Sequence, residues 1–240
     1  MKTEDYKRKE VRIRWCDGCG LYMIYNAVCA ELAELNFPKK DTYVISGIGC
    51  AGRSSGYFDV NSLQALHGRT IPVAVGIKEV KPHAKAIVFS GDGDLLAIGL
   101  NHLLHASRRN DDIKVFCSNN EVYAMTGGQR APTTPIKRVT TTSPYGNQEP
   151  MINIKDIILS HNNFFARSST AFPDHLTRCV KEAMKHKGFS FVDIKSQCPV
   201  NVGRKLGMDV AKMLKWYKER FKIKENVKDL KEDELGIIKR

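Results

Sequence analysis

The chain has 240 residues, 42% of them apolar and 27% charged, a balance that supports one sizeable globular core. Its 38 Lys and Arg outnumber 26 Asp and Glu for a formal charge of +12, yet they are spread along the chain, which argues against nucleic-acid binding and suits an acidic protein partner. MKTEDYKRKEVRIRW has no apolar run behind its charges, and no later segment approaches the roughly 18 apolar residues of a membrane span, so a cytoplasmic protein without membrane association is expected.

The first motif, WCDGCG, sets Cys16 and Cys19 at C-x-x-C spacing among glycines that let a loop wrap an ion or a cluster. TYVIS from Thr42 reads as a buried strand and runs into SGIGCAGR, which presents Cys50 at the strand end, followed by Arg53. LHGR, with His67 and Arg69, leads into TIPVAVGIKEV, which reads as a helix. AIVFS from Ala86 is the next strand and ends in GDGD. DLLAIGLNHLLHASRR then reads as one helix, on which His102 and His105 are packing or surface residues. KVFCS from Lys114 is a strand ending in SNNEVYAMTGG. From Thr126 to Pro150 the chain is rich in Thr, Pro and Gly without apolar periodicity, a long loop expected to cover the site or to move beside it. NFFARS from Asn163 and FVDI from Phe191 are strands flanking the helix DHLTRCVKEAMKHK, and SQCPVN presents Cys198 past the last strand. After Val200, the residues Leu206, Val210, Met213, Leu214, Tyr217 and Phe221 recur at helical spacing.

This alternation predicts an α/β fold: a doubly wound, mostly parallel sheet over residues 1–200, with residues 201–240 an amphipathic helical tail packing on the domain or on a partner subunit. Ligands of such sheets sit beyond the carboxyl ends of the strands, so GDGD and the NN pair should meet in space. Gly91 and Gly93 let the backbone turn and approach a ligand closely, leaving the Asp92 carboxylate at the strand tip, while Asn120 adds an amide oxygen from the neighbouring tip. A carboxylate and an amide carbonyl are hard oxygen donors suited to a Mg²⁺ that keeps phosphate oxygens in its other positions. Cys16, Cys19, Cys50 and Cys198 on strand-edge loops suit Zn²⁺ or an iron-sulfur cluster, and C-x-x-C alone also suits a redox pair; the spacing does not choose. Cys29, Cys117 and Cys179 fall inside apolar patterns and belong to the core.

GDG followed, after 25 residues, by NN resembles the thiamine diphosphate-binding motif. WCDGCG, SGIGCAGR, LHGR, GDGD and NNEVYAMTGGQ also stand in the order found in the thiamine diphosphate-binding β subunit of 2-oxoacid:ferredoxin oxidoreductases, a resemblance covering about Val11 to Asn201. It implies a diphosphate-type domain in which Gly91, Asp92, Gly93, Asp94, Asn120, Val122, Thr126, Gln129 and His67 bind the cofactor. It further implies that Asp92, Asn120 and the main-chain carbonyl of Val122 hold Mg²⁺, and that Cys16, Cys19, Cys50 and Cys198 hold one [4Fe-4S] cluster. His67 and Arg69 are expected beside the reacting cofactor, and Arg53, where many relatives carry Lys, is expected to meet a substrate carboxylate or a coenzyme A phosphate.

The implied reaction is the reversible oxidative decarboxylation of a 2-oxoacid to its acyl-CoA, with ferredoxin taking the electrons through the cluster. The pyrimidine half of the site, with its activating Glu, is missing from this chain, which implies an α subunit and room for further small subunits. MTGGQRAPTTP is most similar to the 2-oxoglutarate type, with pyruvate or branched-chain 2-oxoacids as alternatives. A non-oxidative thiamine enzyme would need no cluster, and a zinc-dependent nucleic-acid or protein adaptor would need no thiamine.

Overall fold

The computed structural model describes residues 1–239. Its helices and strands run α1 (Leu21–Glu34), β1 (Thr42–Ser46), β2 (Asn61–Gln64), α2 (Thr70–Val80), β3 (Lys85–Gly91), α3 (Leu100–Arg109), β4 (Ile113–Asn119), β5 (Val122–Tyr123), β6 (Gln129–Arg130), α4 (Ile154–Leu159), β7 (Phe164–Ser169), α5 (Pro173–Lys185), β8 (Ser190–Lys195), α6 (Val210–Arg220), β9 (Lys222–Ile223) and β10 (Glu234–Ile238). The main sheet has the order β2-β1-β3-β4-β8-β7-β10-β9. Its first six strands are parallel neighbours, β10 joins β7 antiparallel, and β9 joins β10 parallel.

The central strands are continuous apolar runs because both of their faces are covered. Along β3, Ile87 and Phe89 enter the core beneath α1 and α5, while Ala86 and Val88 enter the core beneath α2, α3 and α4. All four side chains are fully buried. Two-residue alternation thus serves two cores, which is why the sequence shows no polar face there. Cys29, Cys117 and Cys179 lie in these cores, as expected.

The chain passes from β1 outward to the edge strand β2, but from β3 in the other direction to β4. Connections therefore diverge between β1 and β3, which is where a doubly wound sheet opens a crevice at its carboxyl edge.

Three elements differ from expectation. The helix read from Asp94 is interrupted: Gly99 N–H donates to the Asp94 carbonyl at 3.1 Å, closing a wide turn over Asp94–Ile98 before α3 begins at Leu100. Such widened turns recur at functional sites because they re-aim a side chain. Secondly, residues 201–239 are more than a helical tail. The amphipathic segment is the 11-residue α6, starting at Val210 under an Asp209 cap, and β10 then returns to the main sheet, so this segment is continuous with the domain. Thirdly, the loop from Thr126 is held in place: β6 pairs with β5, and Ala131, Thr133, Thr134, Thr140 and Asn147 are buried. Among the described residues no helix is long and apolar enough to cross a membrane.

Candidate active site

Beyond the carboxyl edge, the loops after β1, β2, β3 and β4 line one cleft with residues 48–51, His67, residues 91–94, Ser118, Asn120 and residues 122–126, and Leu21 at the start of α1 contributes to its wall. Asp92 stands in it 2% exposed. Burial pushes its carboxyl up to about 6, against the opposing pull of a hydrogen bond from the Thr133 hydroxyl and the field of Lys195. A buried carboxylate is costly to ionise, and a cation bound in the cleft offsets that cost. Ser118 also lines the cleft, and its Oγ is buried without a hydrogen-bond partner. A hard cation carrying phosphate oxygens fits this donor set.

Gly93 of GDG acts differently from the turn expected of it. Gly93 has φ −64°, ordinary helical backbone, and is required by packing: a Cβ there would lie 2.4 Å from the Tyr123 ring. A Cβ on Gly91 would meet the protein only at ordinary contact distances, 3.9 Å from the Ser118 carbonyl oxygen. Of the two asparagines, only Asn120 lines the cleft. Its Oδ1 accepts from Val122 N–H at 3.1 Å and keeps a second lone pair. Asn119 turns away and donates to Asp193 Oδ1 at 2.8 Å.

Asp94 touches the cleft but its oxygens are committed internally. Oδ1 accepts from Gly68 N–H at 2.8 Å and Ile48 N–H at 3.3 Å, and Oδ2 accepts from Ser90 Oγ at 2.7 Å. His67 Nδ1 lies 2.8 Å from Asp94 Oδ1, at ion-pair distance but outside hydrogen-bond alignment. Asp94 therefore ties the loops after β1 and β2 to the end of β3 and sets His67 at the cleft.

Cys16, Cys19, Cys50 and Cys198 line a second cavity of about 200 Å³. Burial pushes the Cys19 thiol up to about 12, and the fields of Cys198, Cys50 and Cys16 add to that rise. Burial also raises Cys50 and Cys198, while the N–H groups of Asn201, Val202 and Val200 pull Cys198 the other way. Three thiols that resist ionisation, with amides aimed at one sulfur, fit a group that brings positive charge and binds thiolates. Among the described residues no three His, Cys, Asp or Glu side chains are grouped closely enough for a single metal ion; the thiols surround a cavity instead. Gly18, at φ +73°, shapes the C-x-x-C turn, and a Cβ there would sit 2.4 Å from Val210 of α6.

The cleft and the cysteine cavity share a wall: Leu21, Cys50, Asn120, Ala124 and Met125 line both. Thr126 lines the cleft and Arg53 the cysteine cavity. Two expected residues stand outside both linings. Arg69 turns back to the Gly68 carbonyl at 3.2 Å, and Gln129 Nε2 closes on the Thr126 carbonyl at 2.7 Å. His102 and His105 also lie outside, on α3. Thr133, Ser118 and Tyr123 were missed from sequence. Tyr123 sits within NNEVYAMTGG and was within reach of the motif, whereas Thr133 lies in a stretch with no pattern to single it out.

The family model described as "Thiamine pyrophosphate enzyme, C-terminal TPP binding domain" matches residues 35–194. A 2-oxoglutarate synthase subunit KorB from Methanocaldococcus jannaschii is 43% identical over 92% of this chain and 83% of its own length. Its namesake from Archaeoglobus fulgidus is 39% identical over 100% of this chain and 90% of its own. Among solved structures, a 2-oxoglutarate:ferredoxin oxidoreductase from Magnetococcus marinus, with 2-oxoglutarate, coenzyme A and succinyl-CoA bound, aligns at TM-score 0.89 and 30% identity, covering 100% of this chain and 85% of that one.

Proposed function

Since the chain belongs to the thiamine diphosphate-binding β subunits of 2-oxoacid:ferredoxin oxidoreductases, of the 2-oxoglutarate synthase type, we propose that it holds the cofactor's diphosphate and one [4Fe-4S] cluster in an enzyme turning 2-oxoglutarate and coenzyme A into succinyl-CoA and CO₂. The observation that carries this reading is the shared wall, with Cys50 and Asn120 facing both compartments.

Asp92, the Asn120 amide oxygen and the Val122 carbonyl would hold Mg²⁺ for the diphosphate. When bound, thiamine diphosphate supplies the carbon nucleophile and electron sink that 2-oxoacid decarboxylation needs. Leu21 and Ala124, both buried, give the wall between the compartments an apolar face. His67, with Nδ1 held beside Asp94, offers its other nitrogen to exchange protons at the cleft. Arg53, at the cysteine cavity, presents a guanidinium to a substrate carboxylate or a coenzyme A phosphate. Cys16, Cys19, Cys50 and Cys198 would hold the cluster, which would supply one-electron transfer to ferredoxin.

Among the described residues that line the cleft, the only carboxylates are Asp92 and Asp94, one assigned to the metal and the other committed to backbone and hydroxyl donors. The activating glutamate therefore comes from an α subunit.

A turnover panel on the complex with its α subunit, run without oxygen with coenzyme A and a viologen acceptor, tests the substrate. The expected kcat/KM for 2-oxoglutarate exceeds that for pyruvate by tenfold or more, about 1.4 kcal/mol of discrimination. A higher value for pyruvate would overturn the assignment.

A further inference from the structure

We propose that Glu121 is a positioning residue for the metal end of the cleft: its clamped carboxylate holds the backbone between Asn120 and Val122 in the left-handed conformation that presents both as ligands. The proposal rests on the magnesium assignment above.

Six non-glycine residues among those described have positive φ: Asn36, Asn110, Glu121, Lys137, Asn162 and Asn226. Four are asparagines, which tolerate this conformation, and five are exposed. Glu121 is the exception, at φ 66° with its side chain buried. Nothing in its own chemistry favours that backbone, so its surroundings must impose it.

Three cations from three parts of the chain meet its carboxylate. Arg138 Nη2, from the long loop, lies 3.2 Å from Oε2; Arg220 Nη1, from α6, lies 3.3 Å from Oε1; Lys195 Nζ, from the end of β8, lies 3.9 Å from Oε1. Both guanidinium groups also lie over the Trp216 ring, at 5.5 Å and 5.3 Å. The main-chain carbonyl of Glu121 accepts from Thr134 Oγ1 at 2.5 Å. Side chain and backbone are therefore fixed together, and the Asn120 Oδ1 to Val122 N–H bond spans the residue so fixed.

Thr133, next to Thr134, donates to the Asp92 carboxylate. Consecutive threonines thus brace the two arms of the metal site against each other. The long loop acts as this brace instead of the expected cover, and α6, which lies beyond the residues matched by the family model, reaches the site through Arg220 and Trp216.

The test uses the complex with its α subunit, saturated with thiamine diphosphate, and reads Mn²⁺ affinity from the loss of the free-ion EPR signal. Glycine adopts the left-handed conformation freely and alanine does not, yet both remove the same carboxylate. Glu121→Ala is expected to weaken Mn²⁺ binding tenfold or more, while Glu121→Gly stays within threefold of wild type. A role in charge balance or general stability alone affects both equally, and equal Mn²⁺ affinities for the two variants would overturn the proposal. If the alanine chain does not assemble, Glu121→Asn and Glu121→Gln give the same contrast. Asparagine is expected to bind Mn²⁺ more tightly than glutamine, and an equal or reversed order overturns the proposal. Absence of Mn²⁺ binding by the wild-type complex would instead bring down the magnesium assignment, and the proposal with it.

Discussion

Asp92→Ala is expected to abolish Mg²⁺-dependent loading of thiamine diphosphate, weakening it by roughly a hundredfold or more. The reason is geometric and electrostatic together. Asp92 accepts from the Thr133 hydroxyl and the Gly93 N–H, one donor fewer than Asp94 accepts, and burial holds its pKa at about 6. Mg²⁺ must therefore displace a proton at acidic pH. Wild-type affinity should fall about tenfold per pH unit below about 6 and level off above neutrality.

Linkage fixes the sign for the cofactor-free protein. A folded-state pKa raised from 3.8 to about 6 means that the folded form holds the proton more tightly than the unfolded form. Stability from this group is complete below the unfolded pKa and is lost as pH rises through about 6, by about 3 kcal/mol at most. Asp92→Asn, which removes the charge and keeps the shape, should accordingly be no less stable than wild type at pH 8 in the cofactor-free state, while still loading poorly. Titration calorimetry with thiamine diphosphate and Mg²⁺ across pH checks the first expectation, and denaturation with and without cofactor checks the second. Unchanged affinity in the alanine variant would remove Asp92 from the metal site.

Cys50→Ala is expected to cost the complex this chain's cluster, with its iron and acid-labile sulfide, while thiamine diphosphate affinity changes by less than about fivefold. Cys50 sits on the wall between the compartments, and its backbone carbonyl accepts from Trp15 Nε1 at 2.8 Å, a bond that alanine preserves. The variant thus removes one donor and leaves the loop in place. Cys117→Ala is the control: that thiol is buried within the β3–β4 core and lines neither cavity, and its loss should leave the iron content unchanged. A wild-type cluster spectrum in Cys50→Ala would exclude Cys50 as a ligand.

The parallel strands were legible because burial on both faces makes them uninterrupted apolar runs, as in AIVFS and KVFCS. The candidate site was legible where a motif spans a strand end: GDGD, the NN pair, Cys50 and Cys198 each follow a run that reads as a strand. What escaped depends on contacts distant in sequence. That Asp94 faces inward follows from Ser90, Ile48 and Gly68 closing around it, and no spacing in GDGD distinguishes it from Asp92. The left-handed Glu121 was unreadable because glutamate is not a residue that signals such a conformation, and its clamp draws on Arg138, Lys195 and Arg220. β10 was missed because its partner β7 lies far back in the chain, so local pattern alone suggested only the helix before it.

The central claim is that a thiamine diphosphate cleft and an iron-sulfur cavity share one wall in this chain. Its most direct test is iron, acid-labile sulfide, zinc and thiamine analysis, with a reduced-state EPR spectrum, on the complex isolated without oxygen. The account predicts about four iron and about four sulfide per copy of this chain beyond those of any partner's own clusters, a matching EPR signal, and one thiamine diphosphate per copy. Zinc in place of the iron, with no sulfide and no EPR signal from this chain, would contradict it.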